Sequence, residues 1–253
     1  MIWRGIILST ILTAHQPLYI PWLGFFHKVS MSDIFCLWDD VQFSPTDYMH
    51  RNRIKHPNGA IWMTIPIHTQ GHREKVINEM YIDNSQKWRH IHWNSLIVAY
   101  GKKAPYFESY SNFFEGVYKK NWDKLSELDE YILKYLFKEL GITTKFIKAS
   151  DCSFNGKKSE RVLDMCNKLY ADMYIFGELG KDYADRELFS KNGIQILFQK
   201  YKHPEYPQLY GNFISHLSVL DLLFCFGEKS YDIITQKNPT REDLIKKEQV
   251  NKL

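Results

Sequence analysis

Three groups of polar residues stand directly behind apolar runs, and each carries side chains that can move a proton or hold an anion. The first is His15-Gln16, followed by Tyr19 and Trp22. An imidazole titrates near neutral pH and can serve as a general base, while tyrosine and tryptophan pack against sugar and base rings. The second is Asp39-Asp40 with Gln42, continued by Arg51-Asn52-Arg53. A carboxylate behind a strand can orient a base or bind a divalent metal, and two guanidiniums flanking an amide suit a diphosphate. The third is Gly177-Glu178-Leu179-Gly180-Lys181-Asp182-Tyr183. Its glycines let backbone approach a ligand, and free N–H groups at a helix start favour negative charge. The spacing is neither the dinucleotide fingerprint nor the Lys-Ser/Thr phosphate loop.

Plainer roles compete at every position. His15-Gln16 could be a packing turn, the aspartates a helix cap, the arginines a solvated loop, and the glycines an ordinary strand-to-helix turn. A fourth stretch, His203-Pro204-Glu205-Tyr206-Pro207-Gln208-Leu209-Tyr210-Gly211, is a stiff aromatic loop. It either lines a sugar or base pocket, through His203, Tyr206 and Gln208, or covers a sheet edge. His68 and His72 flank a turn without the spacing of helix-face ligands, and no metal site is expected there.

The elements that must position these groups follow from periodicity. An apolar run, Ile6 to Leu12, reads as a buried strand, and Pro21 suits the first turn of the helix Trp22 to Ser30. Ile34 to Trp38 is a second strand. Phe43 to Asn58 reads as polar and irregular, followed by strands Ala60 to Pro66 and Val76 to Ile82. Residues 84–141 form a helical excursion, with Leu125, Leu128, Ile132, Leu133, Leu136 and Leu140 at helical steps and Gly141 as its stop. Strand and helix then alternate: Thr143 to Lys148, Ser159 to Tyr170, Met173 to Phe176, Tyr183 to Asn192, Gln195 to Phe198. Helices near Leu217 to Phe226 and Ser230 to Ile234 lead to a charged tail, 237–253, expected to fray at its end.

Strands alternating with helices predict an α/β fold: a mainly parallel, Rossmann-like sheet with flanking helices and the helical excursion in mid-chain. No Pro/Gly/Ser-rich linker divides the chain, so a single domain over 1–253 is expected, with a split near Gly141 as the alternative. In such sheets ligands bind outside the carboxyl ends of the strands, so His15, Asp40, Asn52 and Gly180 are expected around one cleft.

Composition narrows the function classes. Hydrophobic residues make up 44% and charged residues 25% of the chain, an ordinary globular balance. A net charge of +4, from 33 basic and 29 acidic residues, is too slight to argue for nucleic acid as the main partner and compatible with an anionic small molecule. Cys36, Cys152, Cys166 and Cys225 have no CxxC spacing, which argues against a cysteine zinc site and for free thiols in a reducing cytoplasm. The apolar run before His15 is too short to span a membrane, and no membrane insertion is expected.

Taken together, the groups resemble the WbqC-like protein family. The likeness is carried by His15-Gln16-Pro17-Leu18-Tyr19-Ile20-Pro21-Trp22-Leu23-Gly24, Asp39-Asp40-Val41-Gln42-Phe43 and Arg51-Asn52-Arg53-Ile54-Lys55. It continues in Tyr100 with Ala104-Pro105-Tyr106-Phe107, in Gly180-Lys181-Asp182-Tyr183, and in His203 through Gly211 followed by Leu217-Ser218-Val219-Leu220-Asp221-Leu222-Leu223-Phe224. The resemblance covers nearly the whole chain. It implies a part in O-antigen or other surface-polysaccharide biosynthesis, by transfer of a glycyl or other acyl group to an amino sugar. This chain departs from the family in carrying Glu178-Leu179 between two glycines, where smaller residues are expected. A looser likeness of the opening strand and turn to adenylyl-transferring nucleotidyltransferases fails at their HxGH motif, since the corresponding turn reads Tyr19-Ile20-Pro21-Trp22.

The expected activity is therefore N-acylation of a nucleotide-linked amino sugar by an activated acyl donor of unspecified kind. His15 is the expected base and Asp40 its orienter, with Lys181 at the oxyanion or a phosphate. Gln16, Tyr19, Trp22, Asp39, Gln42, Arg51, Asn52, Arg53, Gly177, Gly180, Asp182, Tyr183, His203, Tyr206 and Gln208 are expected to bind substrate. The alternatives are an ATP-using, nucleotidyltransferase-like enzyme that activates its acyl donor, and a non-catalytic sugar-nucleotide-binding protein.

Overall fold

The structure is a computed structural model that describes residues 9–71 and 74–251. The start of the apolar run at Ile6, and His72, lie outside the described residues. The first strand, β1, runs Ile11–His15, later than the apolar run suggests and including the histidine. Its beginning is set by partners rather than by hydropathy. Thr10 N–H donates to Asp172 Oδ2 and Ile11 N–H to Asp33 Oδ2, both at 2.8 Å, so two carboxylates take the backbone donors where the ladder starts.

β1 lies at the centre of a five-stranded parallel sheet with β2 (Ile34–Leu37), β5 (Lys145–Lys148), β6 (Met173–Phe176) and β7 (Gln195–Phe198), in the order β5-β2-β1-β6-β7. Numbered by their appearance within the sheet, the strands run 3-2-1-4-5. That is the doubly wound α/β order 3-2-1-4-5-6 without its sixth strand, and its direction reverses between β1 and β6. The fold is thus α/β with a Rossmann-like sheet.

Strand alternation divides the core between the two faces. Leu12, Ala14, Cys36, Tyr174 and Phe176 meet Val162, Met165 and Cys166 of α5 (Lys158–Lys168) and Phe189 of α6 (Arg186–Lys191). On the other face Phe35 packs on Phe25 of α1 (Leu23–Ser30) and Phe137 of α4 (Leu125–Glu139), both at 5.5 Å between centroids. The helical excursion consists of α2 (Trp88–Tyr100), α3 (Phe107–Lys119) and α4, and ends at Gly141 with φ +65°.

Two expectations in the segment between β2 and α2 are corrected. The polar stretch read as irregular contains β3 (Arg51–His56), which pairs antiparallel with β4 (Gly59–Thr64) across a tight turn. Its alternation was disguised because both faces are polar: Asn52 and Ile54 turn inward, while Arg51, Arg53 and Lys55 share the other face. Val76 to Ile82 is no strand but a 3-10 turn at Ile77–Glu79, with isolated bridges to Gln42, Ile67 and Lys124. After β7 come α7 (Val219–Phe226), α8 (Ser230–Thr235) and α9 (Arg241–Asn251). The charged tail is helical over Arg241–Asn251, Arg241 ties it to Asp33 Oδ1 at 2.7 Å, and its last two residues, where fraying is expected, lie outside the described residues. Among the described residues no helix is long and apolar enough to cross a membrane.

Candidate functional site

His15 closes β1 on the face covered by α1, its ring edge-on to Phe25 at 5.3 Å. Ile11–Thr13 pair with Met173–Ile175, and the same register carried forward sets Gly177 beside His15 at the reversal point. The sequence expectation that these two groups meet at the carboxyl edge follows from this sheet order. His15 Nδ1 lies 2.9 Å from the carbonyl oxygen of Gln16. A carbonyl only accepts, so Nδ1 carries the hydrogen and Nε2 keeps its lone pair. Burial, with the nearby Lys28 ammonium, lowers the imidazole to about 3, which keeps it neutral at physiological pH.

Lys28 was not singled out by the sequence. It sits on α1 at 3% exposure, its ammonium donating to Ala14 O at 3.0 Å. Among the described residues it enters no ion pair, and burial pushes it down to about 7. The sequence signal is a charged residue within Leu23-Gly24-Phe25-Phe26-His27-Lys28-Val29, a helix buried on all sides. A half-protonated amine next to a neutral imidazole is a combination suited to proton transfer.

Asp40 does not orient His15. It lies beyond the end of β2 and pairs with Arg161 of α5, on the face of the sheet opposite α1, away from His15. Asp39 is 3% exposed and accepts from Ser150 N at 3.0 Å and Ser150 Oγ at 2.6 Å, tying β2 to the end of β5. Gln42 is exposed beside Val76.

The Arg51-Asn52-Arg53 triplet splits by face. Asn52 is buried and donates through Nδ2 to the carbonyls of Ile20 at 2.8 Å and Tyr19 at 3.3 Å, so it holds the loop behind His15 rather than a phosphate. Arg51 and Arg53 lie on the outer face, over Trp62. Among the described residues the arginines in ion pairs are Arg161 and Arg241, so these two guanidiniums are not neutralised by carboxylates. Tyr19 is likewise interior: its hydroxyl lies 2.6 Å from that of Tyr118 and 2.9 Å from His92 Nδ1, which leaves none of it for a sugar.

Trp22 remains at the rim. Its ring covers Gly24, where a Cβ would meet it at 2.3 Å, and stacks on His216 at 5.1 Å and His203 at 6.4 Å. His203 accepts from His216 N–H at 3.2 Å through Nε2 and donates through Nδ1 to Pro204 O at 2.8 Å. His216, unnoticed in the sequence, is exposed with φ +57°; partial desolvation and, after it, the charge of Arg53 lower its imidazole. Tyr206 and Gln208 are structural. Tyr206 donates to the buried Asp221 Oδ2 at 3.1 Å, and Gln208 receives Lys55 Nζ at 3.3 Å.

In the glycine loop, Gly177 has nothing within 4 Å of where a Cβ would stand, whereas a Cβ at Gly180 would meet Phe176 at 2.6 Å. One glycine leaves open space and the other permits close packing. Lys181 pairs with Glu178 at 3.2 Å, Asp182 and Tyr183 are exposed, and the Tyr183 ring lies edge-on to Phe176 at 6.1 Å. A concavity of about 440 Å³, lined by Asp33, Thr144 and Arg241 among others, sits at the opposite, amino edge of the sheet and shares none of these residues. Among the described residues no group of three His, Cys, Asp or Glu side chains is disposed to hold a metal, and all four cysteines are free.

The sequence profile of the WbqC-like protein family matches residues 16–233. The uncharacterized protein Rv1507c of Mycobacterium tuberculosis (strain ATCC 25618 / H37Rv) is 31% identical over 221 residues, covering 87% of this chain and 95% of that protein. No solved structure matches.

Proposed function

The chain belongs to the WbqC-like protein family, and on that footing we propose that it is a transferase that N-acylates a nucleotide-linked amino sugar in surface-polysaccharide biosynthesis. The observation that carries this reading is His15: a neutral imidazole with a free Nε2, at the end of the central strand and at the reversal point of the sheet. The sugar amine attacks the carbonyl carbon of an activated acyl group and forms the N–C bond. Nε2 takes the proton that the nitrogen must shed, and the tetrahedral intermediate collapses with departure of the donor's leaving group. The oxyanion is received by the Gly177–Gly180 loop and Lys181. At about 3 the imidazole is a weak base; an anionic sugar nucleotide beside it favours the imidazolium and raises its basicity toward the working range. Arg51 and Arg53 hold the diphosphate. The soluble sugar nucleotide sets the cytoplasm as the place of action.

His15→Asn keeps the side-chain volume but cannot take the proton. We expect single-turnover acyl transfer to fall about 10²- to 10⁴-fold with an unchanged melting temperature. Wild-type turnover with a lowered melting temperature would make His15 a packing residue. The strand order favours one second reading, in which ATP is bound at the same reversal point to activate the acyl group. Pyrophosphate released in step with product identifies that route.

A further inference from the structure

Trp62 stands in β4 opposite Arg53 and is 49% exposed. The guanidinium carbons of Arg51 and Arg53 lie 5.0 and 5.6 Å from its centroid, and the Nε atoms of both are buried without a hydrogen-bond partner. The ring thus contacts two guanidiniums and still keeps about half its surface in water. Tyr48, also exposed, extends this surface at 5.8 Å and 38°. Arg51 places Nη2 at 2.6 Å from Thr46 O, which fixes its direction; Arg53 makes no ion pair among the described residues.

The hairpin is joined to the loop behind His15. Tyr19 N–H donates to Tyr48 O at 3.2 Å, Asn52 holds the carbonyls of Tyr19 and Ile20, and Ser218 N–H donates to Arg53 O at 2.8 Å. A half-exposed indole, two guanidiniums in no ion pair among the described residues and a hydrogen-bonded link to the loop after β1 form one surface. Bases stack on aromatic faces and phosphates pair with guanidiniums.

We propose that the outer face of Trp62, with Tyr48, Arg51 and Arg53, is a nucleoside-diphosphate subsite. The base stacks on the indole, the phosphates lie against the guanidiniums, and the group carried beyond them is delivered toward His15. This subsite deepens the nucleotide-linked reading above and rests on it.

The test titrates UDP onto the full chain, with inorganic pyrophosphate as a base-free control. Trp62→Ala is expected to weaken UDP at least about fivefold, the loss from removing one base–aromatic stack, without weakening pyrophosphate. Trp62→Phe keeps a ring and restores most of the UDP affinity, which separates stacking from a disturbed hairpin. Arg51→Gln with Arg53→Gln weakens both probes. ADP in place of UDP tells the two sources apart: tighter UDP places the acceptor sugar nucleotide here, tighter ADP an adenine-bearing acyl donor. UDP affinity indifferent to Trp62→Ala, or wild-type protein that binds neither nucleotide at millimolar concentration, overturns the subsite. His15→Asn leaves UDP affinity unchanged. If it also leaves acyl transfer unchanged while the Trp62 and Arg variants behave as stated, the catalytic reading falls and the subsite stands.

Discussion

Lys28 holds a buried ammonium on α1 at a cost to the fold, and its charge is felt by the proposed base, His15. Its ammonium has three donors, with one hydrogen bond to Ala14 O and no ion pair among the described residues. Burial depresses it to about 7, whereas the unfolded chain holds that proton up to roughly 10.4. The folded state therefore binds fewer protons between these values. The penalty is complete below pH 7 and disappears as pH rises toward the unfolded pKa. Lys28→Met should stabilise the protein by about 1–3 kcal/mol at pH 7, after allowing for the orphaned carbonyl. That gain should shrink between pH 7 and 9.5 in paired urea melts, while acyl transfer falls. A gain that is constant across this range would mean that Lys28 is not strained by its charge.

At the scale of elements, the loop between β1 and α1 depends on the hairpin. Ile20 has φ +41°, a left-handed conformation that a β-branched residue rarely adopts. The two bonds from Asn52 to the carbonyls of Tyr19 and Ile20 hold it there. Asn52→Ala is expected to cost about 1–3 kcal/mol by denaturant melts, because it leaves buried carbonyls unpaired and frees the strained turn. The same variant should raise KM more than it lowers kcat, since Asn52 positions the loop without touching substrate. Across the crevice, Gly180→Ala brings a Cβ to 2.6 Å from Phe176, so the glycine loop must move. A stability loss of about 1–3 kcal/mol is expected. Unchanged activity in that variant would detach the loop from the site.

For the whole molecule, three histidines dominate the response to acid. His15 is lowered to about 3, and His50 and His92 to about 4, each chiefly by burial. Their contribution is present above the unfolded histidine pKa of roughly 6.5 and is lost as pH falls through the folded values. Asp129 and Asp221 act in the opposite sense. Burial raises both carboxyls, Asp221 to about 6, so the folded state keeps protons that the unfolded chain releases. Their contribution is present below roughly 3.9 and is lost as pH rises through the folded values. Three depressed imidazoles outweigh these carboxyls, so the urea midpoint should fall steadily from pH 6.5 to 4.5. A midpoint that rises over this interval would show the buried carboxyls in control.

The periodicity of apolar residues was enough to determine the α/β class, the runs that form the strands of the main sheet and the helical excursion, because those patterns depend on local spacing. It also counted Val76 to Ile82 as a strand, which only the tertiary structure corrected. The position of His15-Gln16 behind a buried strand likewise placed it at the carboxyl edge. What the sequence could not determine was which side of each element a polar residue faces. Asp40 follows the strand beside that of His15, yet the two serve opposite faces of the sheet. Asn52 and Arg53 are neighbours in the chain, but one is buried under the β1–α1 loop and the other lies beneath Trp62. Alternation in β3 was masked by polar residues on both faces, so the hairpin, and with it the platform at Trp62, emerged only from strand pairing. Lys28 carries no motif; its significance comes from the helix packing that buries it beside His15. Facing and burial arise from contacts between segments distant in the chain, and those are decided by the tertiary structure.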